Sequence, residues 1–144
     1  MSARSGPGRH EARERAIALI YEAEAKEISP RELVENLPAE PMPYASLLTN
    51  GVSDYLDAID ELIEQHADGW RVARMPAVDR ALLRVAVYEL AWQPDVPVGA
   101  ILNEAVELAK DYSTESSGRF VNGVLAALAE DLRGHNKVAH GEEE

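Results

Sequence analysis

The chain offers little for bond-making chemistry and more for holding an anionic polymer. Its histidines are His10, His66, His135 and His140, and no two stand at the spacing of a helical metal site. Cysteine is absent, which removes thiolate ligands, a cysteine nucleophile and disulfides. No phosphate loop, GxSxG turn or GxGxxG fingerprint occurs. Carboxylates are plentiful, but most fall on polar helical faces, where a solvated surface accounts for them. A catalytic reading has no constellation to rest on. The chain is read as a non-enzyme with no cofactor and no metal.

The cations are few and unevenly placed. Net charge is −12, yet residues 1–15 carry Arg4, Arg9, Arg13 and Arg15 against only Glu11 and Glu14. The remainder holds ten basic and 24 acidic side chains. Such asymmetry points to a nucleic-acid-contacting arm, with a solvated arginine tail as the plain alternative. Arg9 and Arg13 are four apart and share a helical face. Lys110 and Arg119 flank a polar turn at 113–117 that includes Ser116 and Ser117. Its hydroxyls, and the first amides of the helix that follows, can bond phosphate oxygens. Among buried-face polar residues, Arg84 needs a carboxylate, and Glu104 is the expected partner. Asn103 and Asn122 are expected to make structural hydrogen bonds beside the core.

These residues must be positioned by helices. The organising stretch is 76–93, PAVDRALLRVAVYELAWQ. Leu82, Leu83, Ala86, Val87 and Leu90 form one helical stripe. Ala81, Val85, Tyr88 and Trp92 form a second on nearly the opposite side. At this spacing Tyr88 and Trp92 read as core more readily than as a stacking platform. A helix with two apolar faces must be covered from both sides, so other helices pack around it. Before it, the pattern predicts a helix over 9–26, a short helix opened by Ser29 and Pro30, a loop at 37–43 and one long helix over 44–67. The seam of that long helix is Leu48, Val52, Tyr55, Ile59 and Leu62, and Gly69 supplies a left-handed stop. After it come helices over 98–112 and 117–132, the last with Gly123 expected to admit a neighbouring backbone. The sum is an all-α domain of six or seven helices over 9–132, with disordered tails at 1–8 and 133–144. No apolar run approaches the ~18 residues of a membrane span. No secretory signal pattern opens the chain, so no membrane role and a cytoplasmic location are expected.

The blocks DRALLRVAVYEL (79–90), DVPVGAILNEAVELAK (95–110) and FVNGVL (120–125) resemble the C-terminal half of the NusB antitermination factors. ARERAIALIYEAE (12–24) resembles the opening helix of that family, and the likeness spans about 9–132. The resemblance implies two small helical bundles and binding of boxA RNA together with the ribosomal protein NusE, in antitermination and ribosomal RNA synthesis. It implies RNA contacts at Arg9, Arg13 and the stretch from Ser116 to Phe120, and a protein partner near Asp79 and Glu89. RNA polymerase and other elongation factors would be reached indirectly. Monomer and homodimer both stay open, since some relatives dimerise over the RNA surface. The reading from another class is a helical protein–protein adaptor without RNA binding.

Overall fold

The computed structural model describes residues 8–134. Most of both expected tails, 1–7 and 135–144, lies outside the described residues. Among the described residues are seven α-helices and no strand: α1 Arg9–Lys26, α2 Pro30–Glu35, α3 Pro43–Asp54, α4 Leu56–His66, α5 Ala77–Trp92, α6 Val98–Tyr112 and α7 Glu115–Ala129. A 3₁₀ turn, Val72–Arg74, precedes α5, and a wide π-type turn, Glu130–Gly134, follows α7.

Helix α5 is the axis of the fold. Every residue from 81 to 90 is buried, so both predicted stripes are covered. Helices α1 and α3 close one side, with α2 packed behind them, and α4, α6 and α7 close the other. Ala16, Ile20, Leu48 and Val52 meet α5 from the first bundle; Ile59, Ile63, Ile101, Leu108, Val121 and Leu125 meet it from the second. Trp92 is only partly buried and stacks on Tyr55, with ring centroids 4.5 Å apart.

The single long helix expected over 44–67 is two helices. Tyr55, at φ −117° and ψ 26°, ends α3 and opens α4. The last turn of α3 is tied to α2: the Arg31 amide donates to Ser53 Oγ, and its guanidinium pairs with Asp54 at 2.6 Å. Helix α4 instead follows α5 and α7. The seam therefore bends at Tyr55, which is 44 % exposed, while Leu48, Val52 and Ile59 are fully buried.

The close backbone approach also lies elsewhere than expected. Gly123 is exposed, with nothing near where a side chain would begin. It is Gly51 that cannot be replaced freely: a Cβ there would stand 2.2 Å from the Tyr88 ring. Helix ends behave as expected at Ser29, whose Oγ accepts from the Glu32 amide and opens α2, and at Gly69, past the end of α4 with φ 86°.

Arg133 and Gly134, expected to be disordered, are structured. The Arg133 guanidinium donates to the carbonyls of Glu89, Leu90, Gln93 and Val96. It thereby satisfies the open C-terminal end of α5 and the turn beyond it. The Arg84 assignment also changes. Its guanidinium grips Asp60 of α4 at 2.8 and 2.9 Å, with Glu24 3.6 Å away. Glu104 lies instead on the face of α6 that meets α1. Asn103 and Asn122 are exposed and do not bond each other.

Candidate nucleic-acid interface

The expected site residues separate into an outer set and an inner set. The outer set is built on the turn between α6 and α7. Thr114 caps α7, its Oγ1 accepting from the Ser117 amide at 3.0 Å. Ser117 is 8 % exposed, and its hydroxyl donates to Asp79 Oδ2 at 3.0 Å. Since that proton is used, Ser113 Oγ, 2.8 Å away, donates to Ser117. The turn is thus held from below by α5. On its outside, Ser116 and Arg119 are exposed and joined, Arg119 Nη2 to Ser116 Oγ at 3.3 Å. Lys110 is exposed and lies across the start of α7; a Cβ on Gly118 would stand 3.1 Å from its aliphatic chain. Glycine at that position lets the lysine lie down. Phe120 is half-buried and meets Trp70 edge-on at 5.9 Å. Two cations, a set of hydroxyls and the N-terminal end of α7 therefore share one surface, although Glu115 in its first turn opposes them.

The inner set is a charge network between the bundles. Arg13, expected on the RNA surface, is 3 % exposed. Its Nε donates to both oxygens of Glu89 at 2.9 and 3.1 Å, and Nη2 adds a third bond at 3.0 Å. Tyr44 donates its hydroxyl to Glu89 at 2.6 Å. Glu104 completes the set, 3.4 Å from Arg13 and 3.0 Å from His10 Nδ1. Burial works against the Arg13 charge, but the bonds and charge of Glu89 outweigh it and raise its pKa. Burial and the same carboxylate push the Tyr44 hydroxyl well above its ordinary range, so it remains a donor. Glu89, expected to meet a partner protein, is 1 % exposed and wholly inside this network. Arg9, one turn before Arg13, is half-buried with its guanidinium 3.6 Å over the Tyr44 ring, at the Glu89 end of α5 and away from the Asp79 end that carries the outer set.

Asp79, the other expected partner contact, is 3 % exposed. Burial raises its carboxyl pKa against the opposing bond from Ser117. A raised folded pKa means that the charge weakens the fold once pH rises through the carboxylate range. Asp79→Asn is therefore expected to stabilise the protein by about 1 kcal/mol at neutral pH. The gain should shrink as pH falls and Asp79 takes up its proton; urea unfolding at neutral and acid pH measures both.

The fold has counterparts among known proteins. The NusB family model matches residues 10–130, nearly the whole described chain. The chain belongs to the NusB family. It is 47 % identical over 126 residues to the transcription antitermination protein NusB of Acidothermus cellulolyticus, a match covering 85 % of this chain and 87 % of that one. Among solved structures it resembles NusB of T. maritima at TM-score 0.76 and 31 % identity, over 85 % of this chain and 90 % of that one. It also resembles a chain in the crystal structure of antitermination factors NusB and NusE in complex with dsRNA, at TM-score 0.73 and 30 % identity, over 85 % and 96 %. Membership of the NusB family accounts for the all-helical, two-bundle architecture. No helix among the described residues is long and apolar enough to cross a membrane.

Three aromatic residues stand at these surfaces that helical spacing alone does not place there: Trp70, Tyr21 and Tyr112. Trp70 passed as part of a connector, yet it is 50 % exposed and walls a cavity beside Phe120. By helical spacing Tyr21 flanks the apolar stripe of α1 and Tyr112 belongs to that of α6. They are 46 % and 54 % exposed and share an apolar depression with Ile17, Ala18 and Val78, rimmed by Glu14. Their exposure was invisible because a helical wheel does not say where a neighbouring helix stops.

Proposed function

We propose that this NusB-family chain is a transcription antitermination factor that binds boxA-type single-stranded RNA together with the ribosomal protein NusE, in support of ribosomal RNA transcription in the cytoplasm. The observation that carries the reading is the α6–α7 turn. On a chain of net charge −12, Lys110 and Arg119 bracket exposed hydroxyls on a turn fixed from beneath by Asp79. Phosphate neutralisation supplies most of the attraction for RNA, so an acidic protein needs such a local positive surface. Arg9, beside Tyr44 near the other end of α5, offers a separate cation, and Arg13 is spent on Glu89. The similarity to a chain crystallised as NusB and NusE in complex with dsRNA supports NusE and RNA as partners.

NusE would pack beside α5 on the depression formed by Tyr21, Val78 and Tyr112. An exposed apolar patch on an otherwise acidic body suits a basic protein partner. With Asp79 and Glu89 inside, charge at this contact comes from the rim, where Glu14 stands. RNA polymerase and other elongation factors would be reached through the assembled complex.

Titrating boxA RNA with and without NusE tests the reading. Binding by this chain alone should be weak, with a shallow salt dependence of about −0.7 in log–log slope per phosphate contacted. Adding NusE should tighten it. NusE association should slow as salt rises, and Tyr21→Ser should weaken it. If NusE binds but RNA does not, with or without NusE, the chain is a helical adaptor.

A further inference from the structure

We propose that the cavity beside the α6–α7 turn seats one unstacked RNA base bearing an exocyclic amine, with Trp70 and Phe120 as its walls and Asp79 as its acceptor. The proposal rests on the RNA reading above and adds a base-reading residue to it. Asp79 is one of the residues lining this cavity, with Trp70, Met75, Pro76, Ser116, Ser117 and Phe120. Its Oδ2 takes the Ser117 hydroxyl, but its Oδ1 is buried and has no hydrogen-bond partner. A buried acceptor without a donor is uncommon in native proteins and calls for a reason. The other side chains in the lining that can hydrogen-bond are Ser116, Ser117 and the Trp70 indole; Ser117 already spends its proton on Oδ2, and neither of the other two bonds Oδ1. A ligand that fits must therefore bring a hydrogen-bond donor and an apolar body.

Size and shape narrow the class. The cavity holds about 210 Å³, below the roughly 300 Å³ at which small-molecule sites begin. That suits one flat ring system and not an extended segment. Trp70, half exposed, retains surface on which a base can stack. Ser116 lies both in the cavity wall and on the Arg119 contact, so a base in the cavity leaves its phosphate near the cations. A carboxylate oxygen accepts well from the N4 amine of cytosine and equally from the N6 amine of adenine. Uracil offers only N3–H, set between two carbonyl oxygens that repel a carboxylate. An arginine of a protein partner would also meet Asp79 and an indole, but it would have to approach beside Arg119 and Lys110.

The test compares short oligo(C), oligo(A) and oligo(U) RNAs by fluorescence anisotropy, using wild type, Asp79→Asn and Trp70→Ala. Wild type should bind oligo(C) and oligo(A) roughly tenfold more tightly than oligo(U). In Asp79→Asn the amide oxygen keeps the Ser117 hydroxyl and the amide NH2 takes the place of the free oxygen, so the ratio of oligo(C) to oligo(U) affinity should fall to about one, whatever the variant does to affinity for all three. Trp70→Ala should weaken all three. Equal affinity of wild type for all three RNAs overturns the base pocket and leaves the RNA reading standing. Failure to bind any RNA, with or without NusE, overturns the RNA reading instead. The cavity is then judged by Trp70 emission in the Trp92→Phe protein. Quenching by cytidine and not uridine supports a base pocket. Quenching by arginine amide, with cytidine silent, overturns it in favour of a cation of a protein partner.

Discussion

Arg13→Ala is expected to lower stability by about 3–5 kcal/mol, a large share of the margin of a small domain. The loss comes from what remains behind. Glu89 is 1 % exposed and receives three of its side-chain hydrogen bonds from Arg13. Without them a carboxylate stays inside the bundle interface with only Tyr44 to solvate it. Glu89→Ala should cost less, because Glu104, 3.4 Å away, still faces the guanidinium it leaves behind. Replacing both, as Arg13→Met with Glu89→Leu, should recover much of the loss, since paired removal leaves no uncompensated charge. Denaturant unfolding of the three variants gives the comparison. An unfolding midpoint of Arg13→Ala equal to that of wild type would show that the network does not support the fold.

Val85→Asp should be as damaging as Leu83→Asp, and each should remove most of the stability. The two residues lie on opposite stripes of α5 and are 2 % and 0 % exposed. A carboxylate at either point is taken out of water with no partner designed for it. A surface helix would show one severe and one mild result. Circular dichroism melting separates the cases, and a Val85→Asp protein that melts like wild type would refute burial on both faces.

The axis of the fold was legible because its signal was redundant. Two apolar stripes on one helix admit a single reading, and the core agrees with it residue by residue from 81 to 90. What was not legible were choices that depend on a third body. Nothing local breaks a helix at Tyr55; the break comes from α3 docking on α2 through Arg31 while α4 follows α5 and α7. Arg84 announced a need for a carboxylate, but not which helix would supply it. Arg13 misled because its four-residue spacing from Arg9 suggested one shared surface. The signal that places it inside was present: Arg13, Ala16, Ile20 and Ala23 fall on one helical stripe, and all four are buried. Lys110 and Arg119 were legible by contrast, since the ends of two helices around a short turn come together under any packing. The base cavity was not, because Trp70, Asp79 and Phe120 are joined only by the tertiary fold.

The α6–α7 turn, and not the buried arginine of α1, is expected to meet RNA. The direct measurement is the salt dependence of boxA RNA binding in the NusE complex for wild type and for Lys110→Ala/Arg119→Ala. Both side chains are exposed, so the double variant should melt like wild type. It should bind RNA at least tenfold more weakly, with a log–log salt slope shallower by about 1.4 for two lost phosphate contacts. An unchanged affinity and an unchanged slope would contradict the claim.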